Sequence, residues 1–335
     1  MSRISKVIYD STITPLSIRD IDELLQMYKD DVNIKNGNIQ ERNALDKYSQ
    51  GKIQDISRKV NEATVHVAEI FDTIGKKNII PINEIQDTIV PVLQEASEIP
   101  NVYYLFKELQ LKDEYTYIHN ICVGIISGLI AKWLGYDKET IREIELAGLL
   151  HDVGKTKITT SILDKPTRLT EQEYEEMKKH TIYGYQLLRA TPGLSHEIAL
   201  TALQHHERED GNGYPFQLKS SKVHPFAKII AVADVFHAMS SDRVYRKAEP
   251  FYQVISKMSG DVFGKFDPEI MLVFIRKIME TLIGERVELN DQRVGTIVMI
   301  NQYNPLRTLI KLDDGGIIDL SKSAHIQIKK VLKNI

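Results

Sequence analysis

The chain has one cysteine, Cys122, in 335 residues. An internal disulfide is therefore excluded. Its place in an apolar helical pattern marks Cys122 as a small buried side chain rather than a nucleophile. Long hydrophobic runs are also missing. The longest candidate, residues 118–134, is interrupted by His119, Asn120 and Lys132, short of the ~20 apolar residues a membrane span needs. No apolar signal core opens the chain. A cytoplasmic protein with no membrane attachment is expected. Positive charge is not in excess: 43 Lys+Arg against 46 Asp+Glu give a net charge of −3. That gives no hint of a nucleic-acid coat, and no polymeric nucleic acid is expected as a partner. Any anionic ligand must be met by a local group of cations. Internal repeats and low-complexity segments are lacking too.

What remains is an ordinary globular composition, 42% hydrophobic and 27% charged, with length enough for two or three domains. Residues 1–40 read as a small N-terminal unit, with a short strand at Val7–Tyr9 and a helix near Ile18–Met27. Residues 41–112 read as a helical accessory region. There Ile53, Ile56, Val60, Ala63, Val67, Ile70 and Ile74 step by three and four, a helical stripe. Pairing with a partner helix, within the chain or in a homodimer, is one use for such a stripe. A second helix is expected over Asn83–Ser97 and a third over Val102–Gln110. His66 sits beside the stripe with no ligand-like company.

From 113 to 283 the pattern is a helical bundle. Asp113 is a good N-cap for a helix over Glu114–Leu134. Helices are expected at Lys138–Leu150, from the Thr170/Glu173 capping box to Arg189, after Ser195, over Phe226–Met239, and near Phe251–Met258 and Pro268–Leu282. From about 284 the period changes to two. Segments near 286–289, 294–300, 307–312 and 317–320 predict a β-barrel or curled sheet of four or five strands. The fold class expected is mainly α, with a helical bundle and a small C-terminal β module.

The chemistry gathers around Leu149-Leu150-His151-Asp152-Val153-Gly154-Lys155. An apolar helix runs into an adjacent imidazole and carboxylate, which can ligate one divalent metal from two directions. A lone His-Asp pair decides nothing. However, His119, His151-Asp152, His180, His205-His206 and Asp234 recur at roughly thirty-residue intervals, one helix plus a connection, so that successive helices bring donors to one centre. Asp234 carries the strongest argument. A carboxylate within Ile229-Ile230-Ala231-Val232-Ala233 is costly to bury unless paired or metal-bound. The bland reading is a buried cap or an ion pair with a neighbouring arginine. Imidazole and carboxylate without thiolate favour Fe, Mn, Co, Ni or Zn. The donors exceed what one metal needs, so two divalent ions sharing Asp152 are expected. Lys155, Arg243 and Arg246 suit a phosphate ester; a solvated basic helix end is their bland reading.

These segments carry a resemblance. His151-Asp152-Val153-Gly154-Lys155, His180-Thr181-Ile182-Tyr183-Gly184, His205-His206-Glu207-Arg208-Glu209-Asp210-Gly211-Asn212-Gly213-Tyr214-Pro215 and Ala231-Val232-Ala233-Asp234-Val235-Phe236, with Asp242-Arg243-Val244-Tyr245-Arg246, resemble the HD-GYP family. The resemblance covers about 110–282. It implies an HD-type all-α, metal-dependent phosphodiesterase of cyclic di-GMP, yielding pGpG or GMP. It implies that His119, His151, Asp152, His180, His205, His206 and Asp234 are metal ligands, with Fe or Mn favoured. It further implies that Lys155, Arg243 and Arg246 contact phosphate, and that Tyr214-Pro215 lies beside substrate on a loop linked to diguanylate cyclase (GGDEF) partners. Two positions depart from the family. Tyr115 stands where some members have a Glu ligand for a third metal, and His237 stands where many have Asp. His237 is expected to face substrate, and Asp152 and Lys155 to carry catalysis. The alternatives are a catalytically weak receptor or adaptor for cyclic di-GMP and cyclases, and an HD hydrolase of another nucleotide.

Overall fold

The computed structural model describes residues 39–99, 102–109, 115–241, 249–260, 264–323 and 325–332, with backbone alone at 39–50 and 115–116. The expected N-terminal strand and helix, the Asp113 cap, Arg243 and Arg246 lie outside the described residues. The chain divides into two compact units, residues 1–52 and 53–335. Of the first, residues 39–52 are described, as helix.

Helix α1, Ile39–Lys77, carries the long stripe. Ile53, Ile56, Val60, Ala63, Val67, Ile70 and Ile74 are all buried in the core of the second unit. A second copy is thus not needed to cover them. Lys59 reaches Glu95 at 2.8 Å, His66 pairs with Glu84 at 2.7 Å, and the Phe71 and Tyr117 rings meet edge-on at 5.7 Å. The single helix expected over Asn83–Ser97 is two, α2 Ile82–Thr88 and α3 Val90–Ser97. Pro91 stands in the first turn of α3, where its missing N–H costs nothing but prevents a continuous ladder from α2. Helix α4, Val102–Leu109, buries five of its eight residues.

Helices α5, Tyr115–Trp133, and α6, Lys138–Leu150, form the centre. Asp137 caps α6 by accepting the backbone N–H groups of Glu139 and Thr140, both at 3.0 Å. Helix α5 is apolar nearly all round, as a central helix must be. Its Ile121, Val123, Ile125 and Ile126 are wholly buried. Cys122 is buried among them, and burial pushes its thiol up to about 12, so it stays protonated and inert.

The helix expected from Thr170 to Arg189 is also broken, into α8, Glu171–Lys178, and α9, His180–Arg189, after the short α7, Thr160–Leu163. The capping box at Thr170 is present. Helix α10 is His196–Gln204; Ser195 has cap backbone angles, but its hydroxyl makes no cap bond. Helices α11, Pro225–Ser240, α12, Phe251–Gly260, and α13, Pro268–Glu280, complete the bundle.

The C-terminal strands are β1 Arg286–Leu289, β2 Val294–Met299, β3 Leu309–Leu312, β4 Ile317–Asp319 and β5 Ile328–Val331. They pair antiparallel in the order β4-β3-β2-β1-β5, an open curled sheet among the described residues rather than a closed barrel. Val287, Leu289, Ile310 and Leu312 face the core, the period-two pattern of a half-buried sheet. Strand β5 escaped sequence reading because two lysines interrupt its four residues. Tyr104 of α4 donates to Glu285 at 2.9 Å, and Tyr252 of α12 to the Leu306 carbonyl at 2.8 Å. One apolar core therefore runs from Ile53 to Ile328. No described helix is long and apolar enough to cross a membrane.

Glu145 of α6 is a charged group inside this core, fully buried, and neither of its oxygens finds a hydrogen-bond partner among the described residues. Burial pushes its carboxyl up to about 7; Ser97 nearby opposes the shift, but its hydroxyl donates to the Gln94 carbonyl at 2.9 Å. A carboxyl raised above its ordinary value stabilises the fold below about pH 4.5, and that contribution fades as pH climbs through 7. Glu145→Gln is therefore expected to gain up to about 3 kcal/mol over the wild type at pH 8.5 and little at pH 5. Calorimetric unfolding across that range checks this; a pH-independent difference contradicts it.

Candidate metal centre

Three histidines stand at helix ends. His151 caps α6, His205 caps α10, and His180 follows the last turn of α8. A helix leaves its last carbonyls without N–H partners. Each of these rings uses one. Nδ1 of His151 meets the Gly148 carbonyl at 2.7 Å, that of His180 the Met177 carbonyl at 2.7 Å, and that of His205 the Ala202 carbonyl at 2.9 Å. A carbonyl only accepts, so the ring proton sits on Nδ1 and Nε2 is bare. At the break between α8 and α9 the Met177 carbonyl meets both the His180 ring and the Lys179 backbone N–H.

The bare nitrogens converge. Asp152, His180, His205 and His206 form one group, and His119, His151 and Asp234 another, each with donor atoms within 4.8 Å of one another. Asp152 faces both. Its Oδ2 is 3.2 Å from His151 Nε2, and its Oδ1 is 3.3 Å from His180 Nε2 and 3.8 Å from His205 Nε2. These approaches are not hydrogen bonds: His151 Nε2 and Asp152 Oδ1 have no such partner among the described residues. Nε2 of His180 and of His205 are 3.4 Å apart. Two bare nitrogens at that distance repel unless a cation joins them. This is the donor geometry of a divalent-metal site, and the residues fit one.

The electrostatics agree. Burial lowers His180 to about 4 and His206 to about 3, and pushes His205 well down, so all three are neutral ligands at pH 7. Burial works to raise Asp152 and Asp234. It is outweighed at Asp152 chiefly by Lys155 and His151, and at Asp234 chiefly by His119 and His151. Both carboxylates stay ionised. Burial also lowers His119, with Asp234 opposing. At His151 burial pulls downward, but Asp152 and Asp234 prevail and raise it. That corner attracts a positive charge.

Close packing holds the donors in place. A Cβ on Gly154 would lie 1.9 Å from the His180 carbonyl oxygen, so only glycine lets the segment after Asp152 meet the start of α9. A Cβ on Gly213 would lie 2.5 Å from the His206 carbonyl oxygen and from Glu207 Cα. Tyr214 N–H donates to that carbonyl at 3.2 Å. The Tyr214 ring then stacks on His206, with centroids 4.6 Å apart. Tyr174, 47% exposed, meets Tyr214 edge-on at 6.4 Å. Lys178 Nζ lies 5.0 Å from the Tyr174 ring centre and 5.7 Å from that of Tyr214. Pro215 follows Tyr214 through a cis bond.

Lys155 pairs with Asp152 Oδ2 and is about one-third exposed, at the edge of the cluster. His237, expected to face substrate, is buried, with its Nδ1 2.9 Å from His119 Nδ1. It stands behind a donor rather than on an open surface. Sequence reading assigned no task to Glu207. It is buried and its carboxylate accepts the N–H groups of Phe216 and Leu218, both at 2.8 Å, stapling the loop that carries Tyr214. The available signal was a carboxylate next to two histidines and ahead of a glycine-rich run.

A family model described as HD domain matches residues 102–270. The chain belongs to the HD domain family. An HD domain carries divalent metal, and the His/Asp cluster lies inside the matched span. A cyclic di-GMP phosphodiesterase of Pseudomonas aeruginosa is 31% identical over 238 residues, 71% of this chain and 57% of that protein. The cyclic di-GMP phosphodiesterase response regulator RpfG of Xanthomonas campestris is 41% identical over 183 residues, 54% of this chain and 48% of that protein. A 3′3′-cGAMP-specific phosphodiesterase of Vibrio cholerae is 33% identical over 184 residues, 55% of this chain and 39% of that protein. The chain spans about half the length of these relatives.

The staple gives a direct expectation for this HD domain. Glu207→Gln replaces a charged acceptor of two N–H groups, a loss of about 1.5–3 kcal/mol at the loop. Limited proteolysis should cut between 208 and 218 faster, with metal content unchanged. Equal cutting rates contradict the role.

Proposed function

We propose that the chain is a phosphodiesterase that hydrolyses cyclic di-GMP, using two divalent ions. His119, His151, Asp152 and Asp234 would hold one ion, and Asp152, His180, His205 and His206 the other. The observation that carries this reading is Asp152, whose two oxygens face two separate donor groups. The nitrogen and oxygen donors suit Fe or Mn, and equally Zn, Co or Ni. When bound, such ions supply Lewis acidity at phosphorus and lower the pKa of water to give the nucleophile.

The chain's own groups do the rest. Asp152, held by Lys155, orients the reacting centre. Lys155 is also placed to offset charge on the phosphoryl oxygens as the bond to the 3′ oxygen breaks. Arg243 and Arg246 share that role on the strength of the sequence. Tyr174, Tyr214 and Lys178 form an aromatic and cationic wall beside His206, suited to a nucleobase and a phosphate. The products are pGpG or GMP. The Tyr214-Pro215 loop is also the surface we assign to diguanylate cyclase partners.

The likeness to the Vibrio 3′3′-cGAMP-specific enzyme favours one second reading, in which the mixed cyclic dinucleotide is the substrate. Incubation of anaerobically purified protein with each dinucleotide and Mn²⁺ or Fe²⁺, with products separated by chromatography, decides between them. Cyclic di-GMP should yield pGpG or GMP. Asp152→Ala should lose bound metal and turnover together. Full turnover in that variant with metal retained overturns the proposal.

A further inference from the structure

His119 differs from the other donor histidines in what holds it. His151, His180 and His205 each use a backbone carbonyl three residues back, freed by a helix end. His119 sits within α5, where each carbonyl is committed to the N–H four residues on. Its Nδ1 lies instead 2.9 Å from Nδ1 of His237, with ring centroids 5.1 Å apart. His237 stands on α11, about one turn after Asp234, and is 5% exposed. Its Nε2 lies 3.2 Å from Ser241 Oγ.

Two ring nitrogens at hydrogen-bond distance share one proton, and the donor set says where it lies. His119 Nε2 belongs to the group with His151 and Asp234, 3.1 Å from Asp234 Oδ1. A nitrogen that gives its lone pair to metal carries no proton, so neutral His119 keeps its proton on Nδ1. That N–H donates to His237 Nδ1. His237 then holds its own proton on Nε2, where Ser241 Oγ accepts it.

We propose that His237 is a positioning residue for the divalent ion on His119, His151 and Asp234. It accepts the His119 Nδ1 proton and so fixes the tautomer and the angle at which Nε2 is presented. It does for His119 what the Gly148, Met177 and Ala202 carbonyls do for the other three rings. The inference rests on the two-ion reading above.

The test uses the full chain, stripped of metal and titrated with Zn²⁺ by calorimetry, with bound zinc counted. His237→Phe keeps a buried ring without an acceptor. His237→Asn places Oδ1 where Nδ1 stood. The wild type is expected to bind two ions. His237→Phe should weaken one of them by about 10- to 100-fold and leave the other unchanged, and His237→Asn should recover most of that loss. In ¹⁵N-histidine spectra of the zinc-loaded wild type, His119 should show a protonated Nδ1 and a metal-bound Nε2. This signature needs no variant and decides the matter should His237→Phe fail to fold. Two ions bound at wild-type affinity by His237→Phe, or a His119 proton on Nε2, overturns the role of His237 alone. A wild type that binds no zinc overturns the metal reading and this inference with it.

Discussion

Two carboxylates and five imidazoles lie together, nearly shut off from water. Removing an ionised carboxylate from water costs several kcal/mol unless an opposite charge replaces the solvent. Lys155 meets one oxygen of Asp152, while its other oxygen and His151 Nε2 find no hydrogen-bond partner among the described residues. Cations of higher charge balance such a set. Much of the bundle follows from this demand. Carbonyls in the last turns of helices α6, α8 and α10 hold three rings by Nδ1. Gly154 lets the turn after Asp152 touch α9.

The substrate side depends on the same centre. His206 belongs to the donor group through a nitrogen at its ring edge and supports the Tyr214 ring with its face. Glu207, one residue on, fixes the loop by two charged hydrogen bonds. The segment from 205 to 218 thereby couples donors, loop and aromatic wall in one stretch of chain.

The donor residues were legible in the sequence because their chemistry is rare inside apolar helices. Asp234 within an Ile-Ile-Ala-Val-Ala run, and His-Asp at the end of Leu149-Leu150, conflict with burial unless something binds them. Helix α6 and the Thr170 capping box were legible for a similar reason, having side-chain signals at fixed offsets. The breaks at Ile89 and Lys179 were not read. Pro91 marked the first, but the second has no breaker residue, and the His180 ring bond to the Met177 carbonyl that accompanies it has no fixed sequence signature. The partner of the α1 stripe was left open, because a stripe shows that a face is buried but not by what. His237 was read as facing substrate, since spacing alone cannot tell the front of a donor from its back.

The central claim is that the cluster exists to hold divalent ions, and anomalous diffraction tests it most directly. Crystals of protein purified without chelator and loaded with Mn²⁺ would be measured on either side of the manganese edge. The account predicts two peaks inside the cluster, one beside His119 and His151 and one beside His180 and His205, with Asp152 between them. A cluster without peaks, or manganese bound only at surface carboxylates, would contradict it.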